Sequence, residues 1–356
     1  MSLTWGTDYI KNRQHYVFQG YLEKWCADDN KIWCYKKSDN RIFNSSTRDV
    51  LNKRQMYRIQ EINEDEKRFF EYLMTVLSLT DSEKSEMREH ISAYLLPYYN
   101  QRVVNELKSI NPIPDDHTFN VDLKKLFDSL EELITEQKIN SEEDFYSDYE
   151  GDGNKWIDKL IAGDTSFYYE SQSRIEADVE IQNYEKLDFL NFITIQYFRT
   201  VGMRQLLIEN LRKMLNLISQ NKKKAEENIV FNCDNINLEH VLPHFIWIIQ
   251  TKCSAGLAKA DIQIVRNKTE LPFITSDQPV INMKADLSRK EAPDEFVLWY
   301  PLSPEVGVVI NGCRGERVLD IKKDVDKLNR MIWEHSFEYI VCNKREVLEG
   351  MGDMIW

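Results

Sequence analysis

What most constrains this chain is a change of period near Lys259. Before it, apolar residues recur every three or four positions, as in Phe69, Phe70, Leu73, Val76 and Leu77. That spacing lines one face of a helix. After it come short runs rich in β-branched and aromatic residues, separated by turn formers: Asp261–Arg266, Leu271–Thr275, Phe296–Tyr300, Val306–Ile310, Arg317–Ile321 and Phe337–Val341. Asp324–Glu334 adds a helical segment among them. The pattern predicts an α+β protein, with an N-terminal β-hairpin and a large helical body followed by a mixed, mostly antiparallel C-terminal sheet. Gly and Pro number only 12 and 9 in 356 residues, too few for a β-sandwich full of tight turns.

Three segments follow in chain order. Residues 1–60 are an extended segment and a hairpin, with Ile32–Tyr35 and Arg41–Phe43 flanking the turn-forming Lys37-Ser38-Asp39-Asn40. Residues 61–259 are the helical body. In it, Thr80-Asp81-Ser82 supplies a helix start, Pro97 bends or interrupts the helix that runs toward Leu107, and Asn111–Pro114 breaks the chain. Asp122–Ile139 is another helix. The acidic stretch Glu142–Asp152 after it, with no basic residue, predicts a solvated connection. Leu187–Lys224 is the strongest helical region, closing on three lysines. Residues 260–356 are β-rich with two helices, sharing one core with the helical body.

The net charge of −13 argues against a protein that coats long nucleic acid, although a local basic cleft needs only a few phosphate contacts. The six cysteines form no Cys-x-x-Cys and are expected to be reduced thiols of a cytoplasmic protein. The longest strongly apolar run, Phe245–Ile249, is far shorter than the ~20 residues that span a bilayer, so no membrane partner is expected.

Motifs for a P-loop, a Rossmann dinucleotide site, a zincin and an α/β-hydrolase are absent. Asp148–Gly153 imitates the start of a calcium loop, but the twelfth position is Lys159 rather than a bidentate Glu, so an acidic turn is the expectation. His240 and His244 are spaced to share a helix face, with Pro243 marking a first turn; ordinary polar positions are expected there rather than a metal.

Three clusters carry the candidate chemistry. His15 follows Lys11 and Arg13 and precedes an apolar strip; its imidazole is the natural acid or base near neutral pH. Gln196 and Arg199 share a face of a helix that is apolar nearly all round, so Arg199 must pair with a carboxylate or hold an anion. Asp277 ends an apolar strand at Thr275-Ser276-Asp277-Gln278-Pro279, where it could pair with Arg199, ligate a metal, orient His15, or close an Asx turn.

In this order the clusters resemble an uncharacterised bacterial family, the domain-of-unknown-function family 4238. The shared pattern comprises His15-Tyr16-Val17 with Tyr21-Leu22, the strand Ile32-Trp33-Cys34-Tyr35-Lys36-Lys37, Gln196-Tyr197-Phe198-Arg199-Thr200, Thr275–Val280 and Pro301–Pro304. The resemblance covers about His15 to Val341, with Phe18 standing where the family commonly has Pro. Some members resemble single-gene antiphage defence proteins, which implies a toxin-like effector.

Two functions from different classes result. The first is a defence effector, a candidate nuclease acting on a small structured RNA such as tRNA, or on DNA. His15 would be its acid or base, Arg199 would neutralise the phosphate, Gln196 would position it, and Asp277 would ligate Mg or Mn or hold the His15 tautomer. Arg13, Tyr16, Thr275 and Ser276 would contact the substrate. The second is a non-enzymatic sensor or interaction protein in which the same residues form a structural polar network. A third option is a binder of a phosphorylated small molecule or nucleotide in the same cleft, with Arg199 as anion clamp. A phage trigger protein and self-association are the partners such an effector implies.

Overall fold

The computed structural model describes residues 10–27, 30–110, 118–169, 184–223, 231–286, 293, 295–312 and 325–353. The chain opens with β1 (Arg13–His15), α1 (Gln19–Glu23), β2 (Lys31–Lys36), β3 (Arg41–Ser46) and β4 (Asn52–Arg54). Helices α2 (Glu64–Val76), α3 (Asp81–Tyr94), α4 (Leu96–Ile110), α5 (Thr118–Ala162), α6 (Ser166–Tyr169), α7 (Tyr184–Phe198), α8 (Val201–Lys223) and α9 (Leu238–Gly256) follow. Then come β5 (Asp261–Arg266), β6 (Thr275–Ser276), β7 (Ile281–Asn282), β8 (Val297–Pro301), β9 (Val306–Asn311), α10 (Val325–His335), β10 (Tyr339–Cys342) and α11 (Arg345–Asp353). The class is α+β, and no described helix is long and apolar enough to cross a membrane. The chain divides into two compact units, each drawing on separated stretches of sequence.

The first unit comprises the described residues up to Gln14, Lys53–Tyr146 and Leu211–Phe245. Capping boxes start two of its helices: Asn63 and Glu66 exchange side chain and backbone bonds at α2, and Thr80 and Glu83 do so at α3. The interruption expected at Pro97 occurs, since α3 ends at Tyr94 and Pro97 falls in the first turn of α4, where its missing N–H costs little. Leu123, Phe127, Leu130 and Ile134 of α5 present a four-three-four apolar stripe that packs on Val104 of α4.

The expected solvated connection at Glu142–Asp152 is corrected: these residues lie inside α5. Glu142 is buried, accepting from the hydroxyls of Tyr94 at 3.0 Å and Tyr146 at 2.9 Å. Hydroxyl donors let a helix keep a carboxylate inside. The same helix removes the calcium-loop resemblance of Asp148–Gly153.

The second unit comprises His15–Asn52, Ser147–Asn210 and the described residues from Ile246 onward. It holds two four-stranded sheets, ordered β3-β2-β10-β6 and β5-β9-β8-β7, and all the pairings within them are antiparallel. The expected hairpin is β2–β3, with Tyr35 opposite Ile42. Its inner strand pairs in turn with β10, placing Tyr35 opposite Ile340. Strand β8 is buried along its whole length, and Gly307 on β9 is required because a Cβ there would stand 2.2 Å from the Trp299 indole.

Three further expectations change. Leu187–Lys224 is two helices, α7 and α8, broken at Arg199–Thr200. Of Leu271–Thr275 only Thr275 enters a strand: the Ile274 N–H is taken by Asn329 Oδ1 at 3.0 Å and that of Phe273 by the Pro304 carbonyl at 2.9 Å. Pro243 lies within α9 rather than in its first turn. The runs Asn111–Pro114 and Arg317–Ile321, and Cys313, lie outside the described residues; the other five cysteines are free thiols.

Candidate functional site

The second unit builds its polar centre around the break between α7 and α8. The Arg199 N–H still bonds the Ile195 carbonyl at 3.0 Å, closing α7, and Thr200 Oγ1 accepts from the Met203 N–H at 3.4 Å, opening α8. Gln278 holds this junction, with Nε2 donating to the carbonyls of Tyr197 at 3.0 Å and Val280 at 2.8 Å while the Thr200 hydroxyl donates to its Oε1. The break orients Arg199. Its guanidinium, 1% exposed, donates to Glu150 Oε1 at 2.5 Å and to the backbone carbonyl of His15. A buried guanidinium persists only with such partners.

His15 ends β1, and the next residue is fixed by the Tyr16 N–H bond to the Leu51 carbonyl at 3.1 Å. The half-buried imidazole sets Nε2 3.2 Å from the Thr47 carbonyl. Burial lowers its pKa; the Thr47 carbonyl opposes that, Arg199 lowers it further and Glu150 raises it. Burial thus favours the neutral ring, and because a carbonyl only accepts, the Nε2 that faces Thr47 donates to it.

Beside the Arg199–Glu150 pair lie two tyrosines in ring contact, Tyr21 and Tyr300, with centroids 4.9 Å apart and planes tilted by 31°. The Tyr21 hydroxyl is hydrogen-bonded to Thr275 Oγ1 at 2.5 Å and the Pro301 carbonyl at 2.7 Å. Burial, the main cause, raises the Tyr300 pKa well above its ordinary value, and Arg199 and Glu150 both act on it electrostatically. Among the described residues, the buried Tyr300 hydroxyl and Gln196 Nε2 have no hydrogen-bond partner. Gln196 is 1% exposed.

Asp277 has a different task. Its Oδ1 accepts the Phe337 N–H at 2.9 Å, and its Oδ2 accepts those of Glu338 at 2.6 Å and Tyr339 at 2.9 Å. Its own N–H donates to the Tyr339 carbonyl at 3.0 Å. Lys37 clamps the same turn by donating to the carbonyls of Trp333 at 2.6 Å and Ser336 at 3.0 Å. Burial pushes the Asp277 carboxyl up to about 6, against the pull of the three amides and Lys37. The neighbouring Ser276 hydroxyl donates to the Gln278 carbonyl and accepts its N–H, a side-chain turn that fixes the loop.

The structure thus joins Arg199 to Glu150 and to the His15 backbone, and joins Thr275 to the tyrosine pair beside them. Tyr16 is buried and adjacent in sequence. Asp277, the residue expected to ligate a metal, faces the 337–339 turn with both oxygens accepting backbone N–H groups. Among the described residues no group of three or more His, Cys, Asp or Glu could hold a metal ion. Arg13 is exposed and belongs to the other unit. In that unit His240 Nδ1 lies 3.1 Å from Glu66 Oε1, while His244 is buried against the rings of Phe70, His90 and Tyr94.

Sequence reasoning missed Glu150, Tyr21, Tyr300, Gln278 and Lys37 as members of these networks. Tyr21 and Gln278 lie within the segments that carry the family resemblance, and Glu150 within the acidic stretch. A buried arginine demands a carboxylate, but nothing in the spacing says which one.

A family model described as protein of unknown function (DUF4238) matches residues 13–346. No curated protein and no solved structure matches the chain.

Proposed function

Since this chain belongs to the DUF4238 family, whose members are of unknown function, its role must be read from its own residues, and we propose that it is a sensor or interaction protein of bacterial antiviral defence. In this reading the His/Gln/Arg/Asp constellation maintains the fold rather than turning over a substrate. One observation carries it: the two charged members are spent internally, Arg199 at 1% exposure on Glu150 and the His15 carbonyl, Asp277 at 2% exposure on three backbone amides. A phosphate would have to displace an intramolecular carboxylate to reach Arg199, at a cost of several kcal/mol. The defence context rests on the family resemblance.

A second reading keeps the effector nuclease. It is favoured by the half-buried His15 beside an Arg–Glu pair, which supports imidazole acid–base chemistry on RNA without a metal-ligating Asp277. Here Arg199 and Glu150 are positioning residues and Tyr300 is a buried donor.

Purified protein assayed on tRNA, mRNA and single-stranded and duplex DNA, with magnesium, manganese or EDTA, separates the two. The binding reading expects no cleavage in any lane and a lower melting temperature in Asp277→Ala and Glu150→Gln. Cleavage that persists in EDTA and disappears in a His15→Ala variant of unchanged melting temperature would replace it with the nuclease.

A further inference from the structure

Helix α4 of the first unit carries a feature that neither functional reading uses. One of its faces is buried, with Val104 packed against Phe127 and Ile134 of α5. On another face five large apolar residues stand in solvent: Leu96 at 52%, Tyr99 at 43%, Val103 at 53%, Leu107 at 43% and Ile110 at 72% exposure. At the ~100° per residue of an α-helix the five lie within about 80° of arc. Their mean spacing is about 3.5 residues, that of a coiled-coil seam rather than of scattered surface hydrophobes. Isolated apolar residues on a surface need no explanation, but a continuous stripe marks an interface.

The order of the stripe identifies the occupant. Measured from Val103, its members fall seven and four residues before and four and seven residues after. A pattern symmetric about its centre is self-complementary under a two-fold axis, which sets a helix antiparallel to its own copy. We propose that this chain forms a two-fold symmetric homodimer through α4. Val103 sits on the axis against its equivalent, Tyr99 packs on Leu107 of the second copy, and Leu96 packs on Ile110 of the second copy. The stripe exposes on the order of 450 Å² of apolar side chain, which matches the apolar share of the ~800 Å² per partner in a standard interface.

Sedimentation equilibrium of the full chain between 1 and about 100 μM, followed for the parent and for Val103→Glu and Val103→Lys, tests the proposal. The parent is expected at twice the 42.3 kDa chain mass. Each charged variant places like charges together on the axis and is expected to be monomeric, with dimerisation weakened about 100-fold or more. An equimolar mixture of the two is expected to return to dimer, because opposite charges then meet. That rescue also shows that both variants are folded. A parent that stays monomeric throughout, a dimer that survives in both variants, or a mixture that fails to reassociate would each overturn the proposal.

Discussion

Glu150 and Arg199 form an ion pair of 2.5 Å in the interior of the second unit, and the same guanidinium reaches the His15 carbonyl. A carboxylate from the acidic run of α5 is thereby tied to the end of α7 and the end of β1. The pair matters less for the attraction it supplies than for what each partner becomes alone.

Glu150→Gln should therefore destabilise the protein by about 3 kcal/mol, leaving a buried cation without its counter-charge. The double variant Glu150→Met with Arg199→Met should lose clearly less than the sum of its two single changes. Urea midpoints of the four proteins measure this coupling, and simple additivity would mean that the pair is not formed.

Asp277→Ala should cost about 2–4 kcal/mol by stranding three backbone N–H groups in a buried turn, and Asp277→Asn should cost roughly half as much. Amide exchange at Phe337–Tyr339 should quicken in both. Unchanged exchange would remove the clamp from the account.

Acid should destabilise the first unit through the buried His244 and the half-buried His90. Neither His244 ring nitrogen has a hydrogen-bond partner among the described residues. Burial holds its pKa near 3, and that of His90 near 4. Unfolded, both would titrate near 6.5, so between about pH 6.5 and 4 the unfolded chain binds more protons and stability falls, by up to ~1.4 kcal/mol per pH unit per histidine. Asp277 has the opposite sign: with a folded pKa of about 6 it takes up a proton more readily in the native state, which offsets one histidine between pH 6 and 4. Urea midpoints at pH 7, 6, 5 and 4 should fall steadily in the parent and less steeply in His244→Phe.

Two glycines on one helix should respond in opposite directions. A Cβ at Gly153 would sit 2.3 Å from the Phe192 ring, whereas one at Gly151 would meet nothing within 4 Å. Gly153→Ala should cost about 1–3 kcal/mol by overpacking. Gly151→Ala should gain up to ~1 kcal/mol from helix propensity alone. Thermal melts of the two variants give the comparison.

Much of the fold could be read in advance where a local signal had no competitor. The β2–β3 hairpin, the helix start at Thr80, the break at Pro97 and strand β5 at Asp261–Arg266 all depend on neighbours within a few residues. Readings failed where side-chain partners, most of them distant in sequence, decided. Glu142 looks solvated until Tyr94 and Tyr146 supply their hydroxyls, and Ile274 looks like strand until Asn329 takes its N–H. Of the site, the need of Arg199 for a carboxylate was legible and its identity as Glu150 was not. An Asp at a strand end carries the same sequence signature whether it serves chemistry or, as Asp277 does, accepts from backbone amides, so the three N–H partners of Asp277 were not legible.

The place of β10 in its sheet sets the timing of biosynthesis. Lying between β2 and β6, this strand joins a hairpin made roughly three hundred residues earlier. At ~5–20 residues per second, the ribosome leaves the Lys31–Lys36 edge unpaired by its final neighbour for tens of seconds. Contacts so distant along the chain also slow the search for the native state once synthesis ends. The nascent chain thus carries an open strand edge for as long as the residues between β2 and β10 take to be made, and such an edge is a template for pairing with other chains.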